Sequence, residues 1–172
     1  MTRAFIGVGS NIAPEENIRQ ALRRLAQSMQ IMAISTFYQQ PAIGRPQDPP
    51  FYNGVVATDT ALAPVMIKSE ILRPIEAALG RHRSNDKYAA RTIDLDLLLY
   101  DDCVLSNGDM TIPDPEILTR AFLAVPLFEL APALIVPGHG LRIRDIAQRF
   151  ATENMEPLRK YTRELQDELL GS

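Results

Sequence analysis

RTIDLDLLLY, residues 91–100, is aliphatic enough to read as a buried β-strand, yet it carries two aspartates two positions apart. Asp is depleted from strands because its short side chain competes for nearby backbone groups and its charge resists burial. Something must compensate for the pair. In a strand, residues two apart project from one face about 6.6–6.8 Å from each other. Thr92, Asp94, Asp96 and Leu98 are therefore expected on one face, and Ile93, Leu95, Leu97 and Leu99 on the other.

Working outward, this run is the last of four strands. RAFIGVGSN (3–11) predicts a first strand that ends around Gly7 and Gly9. In residues 13–29, Pro14, the first-turn acids Glu15 and Glu16, and Ile18, Ala21, Leu22, Leu25 and Met29 at helical spacing predict a helix. Its arginines, Arg19, Arg23 and Arg24, read as a solvated face. IMAISTFYQQ (31–40) is a second strand, a Pro-rich loop fills 41–50, and FYNGVVATDT (51–60) is a third strand. Residues 63–80 are helical by Ile67, Ile71, Ile75 and Leu79, with Gly80 just past the end and Pro74 predicting a kink or break. Short strands flank 106–109, helical pieces occupy about 115–120 and 121–130, and the charged tail 144–170 reads as a helix by Leu158, Tyr161, Leu165 and Leu169.

The order strand, helix, strand, strand, helix, strand is that of a ferredoxin-like α+β sandwich with a mainly antiparallel sheet. A doubly wound sheet needs more βα units, and Gly7 and Gly9 lack the third glycine of a dinucleotide fingerprint. Residues 1–150 are expected to form the main domain and 151–172 a helical extension packed on it.

With 46% hydrophobic and 23% charged residues, the composition is that of a globular protein with a proper core. No run approaches the apolar length of a membrane span, and residues 4–8 are too short for a signal-peptide core. A cytoplasmic location is expected. One cysteine, Cys103, excludes an intrachain disulfide, and two histidines, His82 and His139, disfavour a histidine-rich metal site. The net charge of −3 disfavours broad nucleic-acid binding.

Two carboxylates on one patch repel unless cations or donors stand near. A pair of divalent ions about 3.5–4 Å apart satisfies both, and Mg²⁺, which completes its octahedron with water and substrate phosphates, suits such oxygen ligands. The loop GRHRSNDKYAAR (80–91) feeds Arg81, Arg83, Lys87 and Arg91 directly towards them. Cations to clamp oxygens beside metal-binding carboxylates are what polyphosphate chemistry needs. The competing readings are a solvated sheet face for the aspartates and a solvated charged turn for the loop.

These motifs, with GSN after the first strand, FYNGVV, LGRHR and RAFLAVPLFELAP in order over residues 3–150, resemble the 6-hydroxymethyl-7,8-dihydropterin pyrophosphokinases of folate biosynthesis. The resemblance implies transfer of the β,γ-pyrophosphoryl group of ATP to a hydroxymethyl pterin, with Asp94 and Asp96 holding two Mg²⁺ ions and Arg81 and Arg91 closing on the triphosphate. Arg73, Glu76, Arg83, Tyr88, Thr111, Asp114 and Arg120 fall at nucleotide-side positions. Gln40, Ile43, Gly44, Phe51, Asn53 and Phe122 fall at the pterin pocket, where a flat amide-rich ring wants aromatic faces and fixed polar groups at its rim. Core packing is the alternative for Phe122. ATP and the pterin are the implied small-molecule partners, with no nucleic acid or membrane, and a monomer or weak homodimer is expected. Residues past 150 are too few for a fused second folate enzyme.

The chain departs from the family at three places. Asp114 replaces a frequent histidine; a carboxylate there repels nucleotide by about 4 kcal/mol at 4 Å and an effective dielectric of 20. Arg73 stands where glutamine is frequent and offsets that charge. Ala89 and Ala90 replace a Gly-Pro, and Tyr88 a tryptophan. A homologue that binds pterin or nucleotide without efficient transfer is thus an alternative function. A nucleic-acid-binding module of the same fold lacks its stacking aromatics.

Overall fold

The computed structural model describes residues 1–82, 86, 89–151 and 153–171. A six-stranded antiparallel sheet is built from β1 (Thr2–Ser10), β2 (Gln30–Ile34), β3 (Tyr38–Gln40), β4 (Phe51–Thr60), β5 (Asp94–Tyr100) and the two-residue β10 (Glu156–Pro157). Along it the order is β10-β3-β4-β1-β5, with β2 also pairing β4. Helix α1 (Pro14–Ser28) crosses from β1 to β2, and the helical stretch 64–78 crosses from β4 to β5. Each crossover skips one strand, which is the split connection of the ferredoxin-like sandwich.

Two apolar clusters cover the sheet. Ile6, Val8, Ile18, Leu22, Leu25, Leu95 and Leu97 pack on one face beneath α1. Phe5, Val55, Leu98, Leu99, Leu123 and Leu127 pack on the other, beneath α4 (Ala121–Leu130) and α5 (Ile143–Gln148). Hairpins of two-residue strands make the connections: β6 (Leu105–Ser106) with β7 (Thr111–Ile112) lies between β5 and α4, and β8 (Ile135–Val136) with β9 (Leu141–Arg142) lies between α4 and α5.

Several details depart from the sequence expectations. The strand of the two aspartates begins at Asp94, so Thr92 precedes it. Its faces also do not alternate to the end. Phe5 pairs Leu99 while Ile6 pairs Leu97, so Leu98 is an extra, bulged residue, and Leu98 and Leu99 join the same cluster. The expected second strand splits into β2 and β3 around residues 35–37. The helix over 63–80 becomes α2 (Pro64–Met66), a π-helical stretch Ile67–Leu72 and α3 (Arg73–Ala78). Pro74 cannot donate to residue 70, and Arg73 N–H reaches back to Lys68 O instead.

The expected tail helix is likewise two helices, α5 and α6 (Arg159–Leu170), separated by β10. Arg19 and Arg23 face α6, paired with Glu164 and Glu168, rather than forming a free solvated face. Among the described residues no helix is long and apolar enough to cross a membrane.

Candidate active site

β5 is an edge strand, and the outward backbone groups of an edge need partners. Glu76, on α3 and 3% exposed, accepts the Leu95 N–H at 3.0 Å; Leu98 O accepts the Asp114 N–H at 2.9 Å. The same Glu76 oxygen also accepts from Arg81 Nη1. Arg81 thereby stands between two carboxylates, donating to Asp94 Oδ1 at 2.9 Å, while Arg91 Nη1 donates to Asp94 Oδ2 at 2.8 Å. Each oxygen of Asp94 thus holds one arginine. Asn11 fixes the backbone of Arg91 in both directions: its Oδ1 accepts the Arg91 N–H at 2.8 Å and its N–H donates to Arg91 O at 3.1 Å. Asn11 Nδ2 donates in turn to Pro49 O at 3.2 Å, tying the Pro-rich loop to the same point.

Among the described residues no such clamp holds Asp96. Desolvation, followed by the charges of Asp94, Asp114 and Glu76, raises its pKa well above the carboxylate range, against a smaller opposing effect of Arg81. Asp96 keeps an exposed surface, so water screens part of this upward shift, and that surface faces two cavities. The first, of about 260 Å³, lies along the β5 edge and is lined by Lys68, Arg73, Glu76, Arg81, Thr111 and Asp114, among others. The second, of about 190 Å³, lies at the end of β3 and β4, with Gln40, Ile43, Phe51, Asn53, Arg120 and Phe122 among its walls. Asp94 and Asp96 line both. The two aspartates are the common wall.

This arrangement brings together most of the residues expected from the sequence. Arg73, Glu76, Thr111 and Asp114 meet in the first cavity, and Gln40, Ile43, Phe51, Asn53 and Phe122 in the second. Arg120, expected beside the phosphates, lines the second cavity with Arg91, and Gly44 lines neither of the two. Arg83, Lys87 and Tyr88 lie outside the described residues. The sequence reading missed Lys68, the backbone role of Asn11 and the part Glu76 plays beneath Arg81. Glu76 had a visible signal: it falls one helical turn after Leu72, on the stripe that is otherwise buried.

Asn53 is 8% exposed and packs over Gly9, where a Cβ would come within 2.4 Å of Asn53 Oδ1. Only glycine leaves that space. Gly9→Ala is expected to spare the fold, because a side-chain tip can move, but to displace Asn53 from the cavity wall. The Michaelis constant for a ligand read by Asn53 should rise about tenfold, the worth of one buried hydrogen bond; an unchanged constant would remove Asn53 from that role.

Asp114 Oδ1 accepts the Glu116 N–H at 2.9 Å and caps the 3₁₀ turn Pro115–Leu118. Its pKa is raised, first by desolvation. Arg73 lines the same cavity, but no ion pair joins the two among the described residues. Histidine at 114 would lose the cap as well as the charge. Asp114→Asn keeps an acceptor for Glu116 and removes only the charge, so it is expected to lower the Michaelis constant for a nucleotide severalfold at moderate salt. No change in steady-state kinetics would show that the charge is already screened or protonated.

The donor set fits divalent cations. Four carboxylates, of Asp94, Asp96, Asp114 and Glu76, act on one another around the first cavity. Among the described residues no group of three or more His, Cys, Asp or Glu side chains is placed to hold a metal ion by itself, and Mg²⁺ asks for fewer protein ligands when phosphates and water complete its shell.

A ferredoxin-like sandwich in which a cation-lined cavity and an aromatic one meet at a pair of carboxylates has the layout of a group-transferring enzyme. Residues 5–132 match the family described as 7,8-dihydro-6-hydroxymethylpterin-pyrophosphokinase (HPPK). The chain is 34% identical over 158 residues to the 2-amino-4-hydroxy-6-hydroxymethyldihydropteridine pyrophosphokinase of Haemophilus influenzae, covering 90% of this chain and 97% of that protein. It is 37% identical over 160 residues to the enzyme of the same name from Pseudomonas aeruginosa, covering 91% and 96%. The chain therefore belongs to the HPPK family and is a pyrophosphokinase. The fold also matches a Plasmodium falciparum HPPK-DHPS triple mutant solved with pteroate, at a TM-score of 0.70 and 12% identity. That match covers 96% of this chain and 46% of the other, so the chain spans under half the length of the malarial protein.

Proposed function

We propose that this chain transfers the pyrophosphoryl group of ATP to 6-hydroxymethyl-7,8-dihydropterin in folate biosynthesis, in the cytoplasm, as a monomer or weak homodimer. The observation that carries the reading is that Asp94 and Asp96 form the common wall of a cation-lined cavity and an aromatic, amide-bearing one. ATP belongs in the first, against Lys68, Arg73 and Arg81. The pterin belongs in the second, between Phe51 and Phe122, with Asn53 and Gln40 at its rim. Gln40 Oε1 is buried and has no hydrogen-bond partner among the described residues, and an N–H of the ring would supply one.

In the reaction the pterin hydroxyl oxygen bonds to the β-phosphorus and gives up its proton, and the bond from the β-phosphorus to the α,β-bridging oxygen breaks. AMP leaves with that oxygen. Asp94 and Asp96 would hold two Mg²⁺ ions, which would supply charge neutralisation for the phosphates. Arg81 and Arg91, now held by Asp94, are placed to turn from a carboxylate to phosphate oxygens of the same charge and geometry. Asn11 and Glu76 hold the two arginines in register while they do so.

A binding-only homologue finds no support in a site that keeps both arginines and both aspartates. The test is nucleotide product analysis with ATP, Mg²⁺ and the pterin. AMP that forms only when the pterin is present supports the reading, and a folded protein that yields none overturns it.

A further inference from the structure

The sheet is interrupted between β2 and β3, and the chain past residue 155 fills the gap. Phe37 N–H donates to Thr162 Oγ1 at 2.9 Å, Leu158 N–H donates to Phe37 O at 2.8 Å, and Gln166 Nε2 donates to Ile34 O at 2.8 Å. β10 adds to the outer edge of β3, with Glu156 opposite Gln39 and Pro157 opposite Tyr38. Tyr161, 6% exposed, stands edge-on to Phe37 with ring centroids 6.1 Å apart and to Tyr52 at 6.0 Å, and its hydroxyl donates to Glu15 O at 2.7 Å. Gly54 leaves room for the Phe37 ring, which a Cβ there would approach to 2.7 Å.

Tyr52 lies between Phe51 and Asn53 on β4, and neighbours in a strand point to opposite faces. Phe51 and Asn53 face the second cavity; Tyr52 faces α6. β3, gripped by β10, ends at Gln40, another wall of that cavity. None of these contacts is made directly to the segments 68–76 and 109–115 that line the first cavity; the one that leads towards them is that of the Tyr161 hydroxyl with α1, which packs against α3, and Tyr161→Phe removes that link alone.

We propose that α6 and β10 brace the pterin-binding strands from behind, with Tyr161 as a positioning residue for Phe51 and Asn53 through Tyr52. The inference rests on the proposed reaction. Ordering of the pterin wall depends on α6 being docked, whereas the nucleotide side does not. A helix that served stability alone would affect both substrates together.

The test compares Tyr161→Leu, which keeps apolar bulk without the ring, with Tyr161→Phe, which keeps the ring without the hydroxyl. Tyr161→Leu is expected to raise the pterin Michaelis constant about three- to tenfold, the worth of an aromatic contact or two. The ATP constant and kcat should stay within about twofold, and Tyr161→Phe should restore pterin affinity. A folded Tyr161→Leu with both constants unchanged, or with both rising in parallel, overturns the proposal. If Tyr161→Leu does not fold, Thr162→Val removes the acceptor for Phe37 N–H and is judged by the same split. Hydrogen exchange at 38–40 and 51–53 reads the brace without turnover. Wild-type protein that makes no AMP therefore fails the proposed reaction alone: faster exchange there in Tyr161→Leu still supports the brace, and unchanged exchange overturns it.

Discussion

Asp96→Asn is expected to cut AMP formation at least about 100-fold, the scale of losing one preorganised electrostatic partner of the transferred group, while the ligand-free protein melts at a higher temperature. Both effects have one cause. Asp96 carries its charge next to Asp94, Asp114 and Glu76, so ionising it works against the ligand-free fold. The sign follows from linkage: a carboxyl whose folded pKa is raised binds its proton more tightly in the native state. Stability then falls as pH rises from the ordinary carboxylate range, near 4, through the raised value. Asparagine removes that penalty together with the proposed ligand for the cations, a trade of stability against function. The gain in melting temperature should be present at neutral pH and shrink on acidification, as the wild-type carboxyl takes up its proton. Retained turnover would show that Asp94 alone carries the metal role; a lower melting temperature would mean that Asp96 is a satisfied structural group.

Glu76→Ala is expected to lower stability by about 2–3 kcal/mol, the cost of leaving the buried Leu95 N–H without its acceptor while Arg81 keeps Asp94 as a partner. At about 2–4 °C per kcal/mol for a chain of this size, the melting temperature should fall by roughly 4–12 °C. The alanine leaves the Leu95 N–H on the sheet edge without its acceptor and frees Arg81 from the carboxylate beneath it. Catalysis should fall further than folding explains. Below the melting transition kcat should drop while pterin affinity holds, because Arg81 lines the first cavity and not the second. Thermal melting and steady-state kinetics on the same preparation decide it: a melting point within about 2 °C of the wild type would show Glu76 to be dispensable to the fold.

Element order and the site's main components were legible in the sequence, since both rest on local signals. The periodicity of 13–29, the aspartates of β5 and the arginines before them can be read one segment at a time. What escaped depends on pairing across the chain. The bulge at Leu98 exists only in register with Phe5 and Ile6, and it moves Leu99 to the face of Leu98. The break after Ile34 is stable because Thr162 and Gln166, more than a hundred residues away, satisfy its backbone. Arg19 and Arg23 read as solvated because α6, which carries their acidic partners, is distant in sequence. Arg120 carried no local sign of which cavity it would join, because α4 decides that only when it packs on the sheet.

Arg45, in the Pro-rich loop, is ion-paired with Asp86, in the segment that leads to Arg91. Those two segments supply Ile43 and Ala89 to the lining of the second cavity, so drawing them apart would part the pair. Both partners are well exposed, and dissolved ions weaken such pairs. With the substrates bound as proposed, ionic strength is expected to act on them in opposite senses: salt would slow the arrival of a polyanion at Lys68 and Arg73, and loosen a pair that ties together two walls of the cavity for a neutral heterocycle.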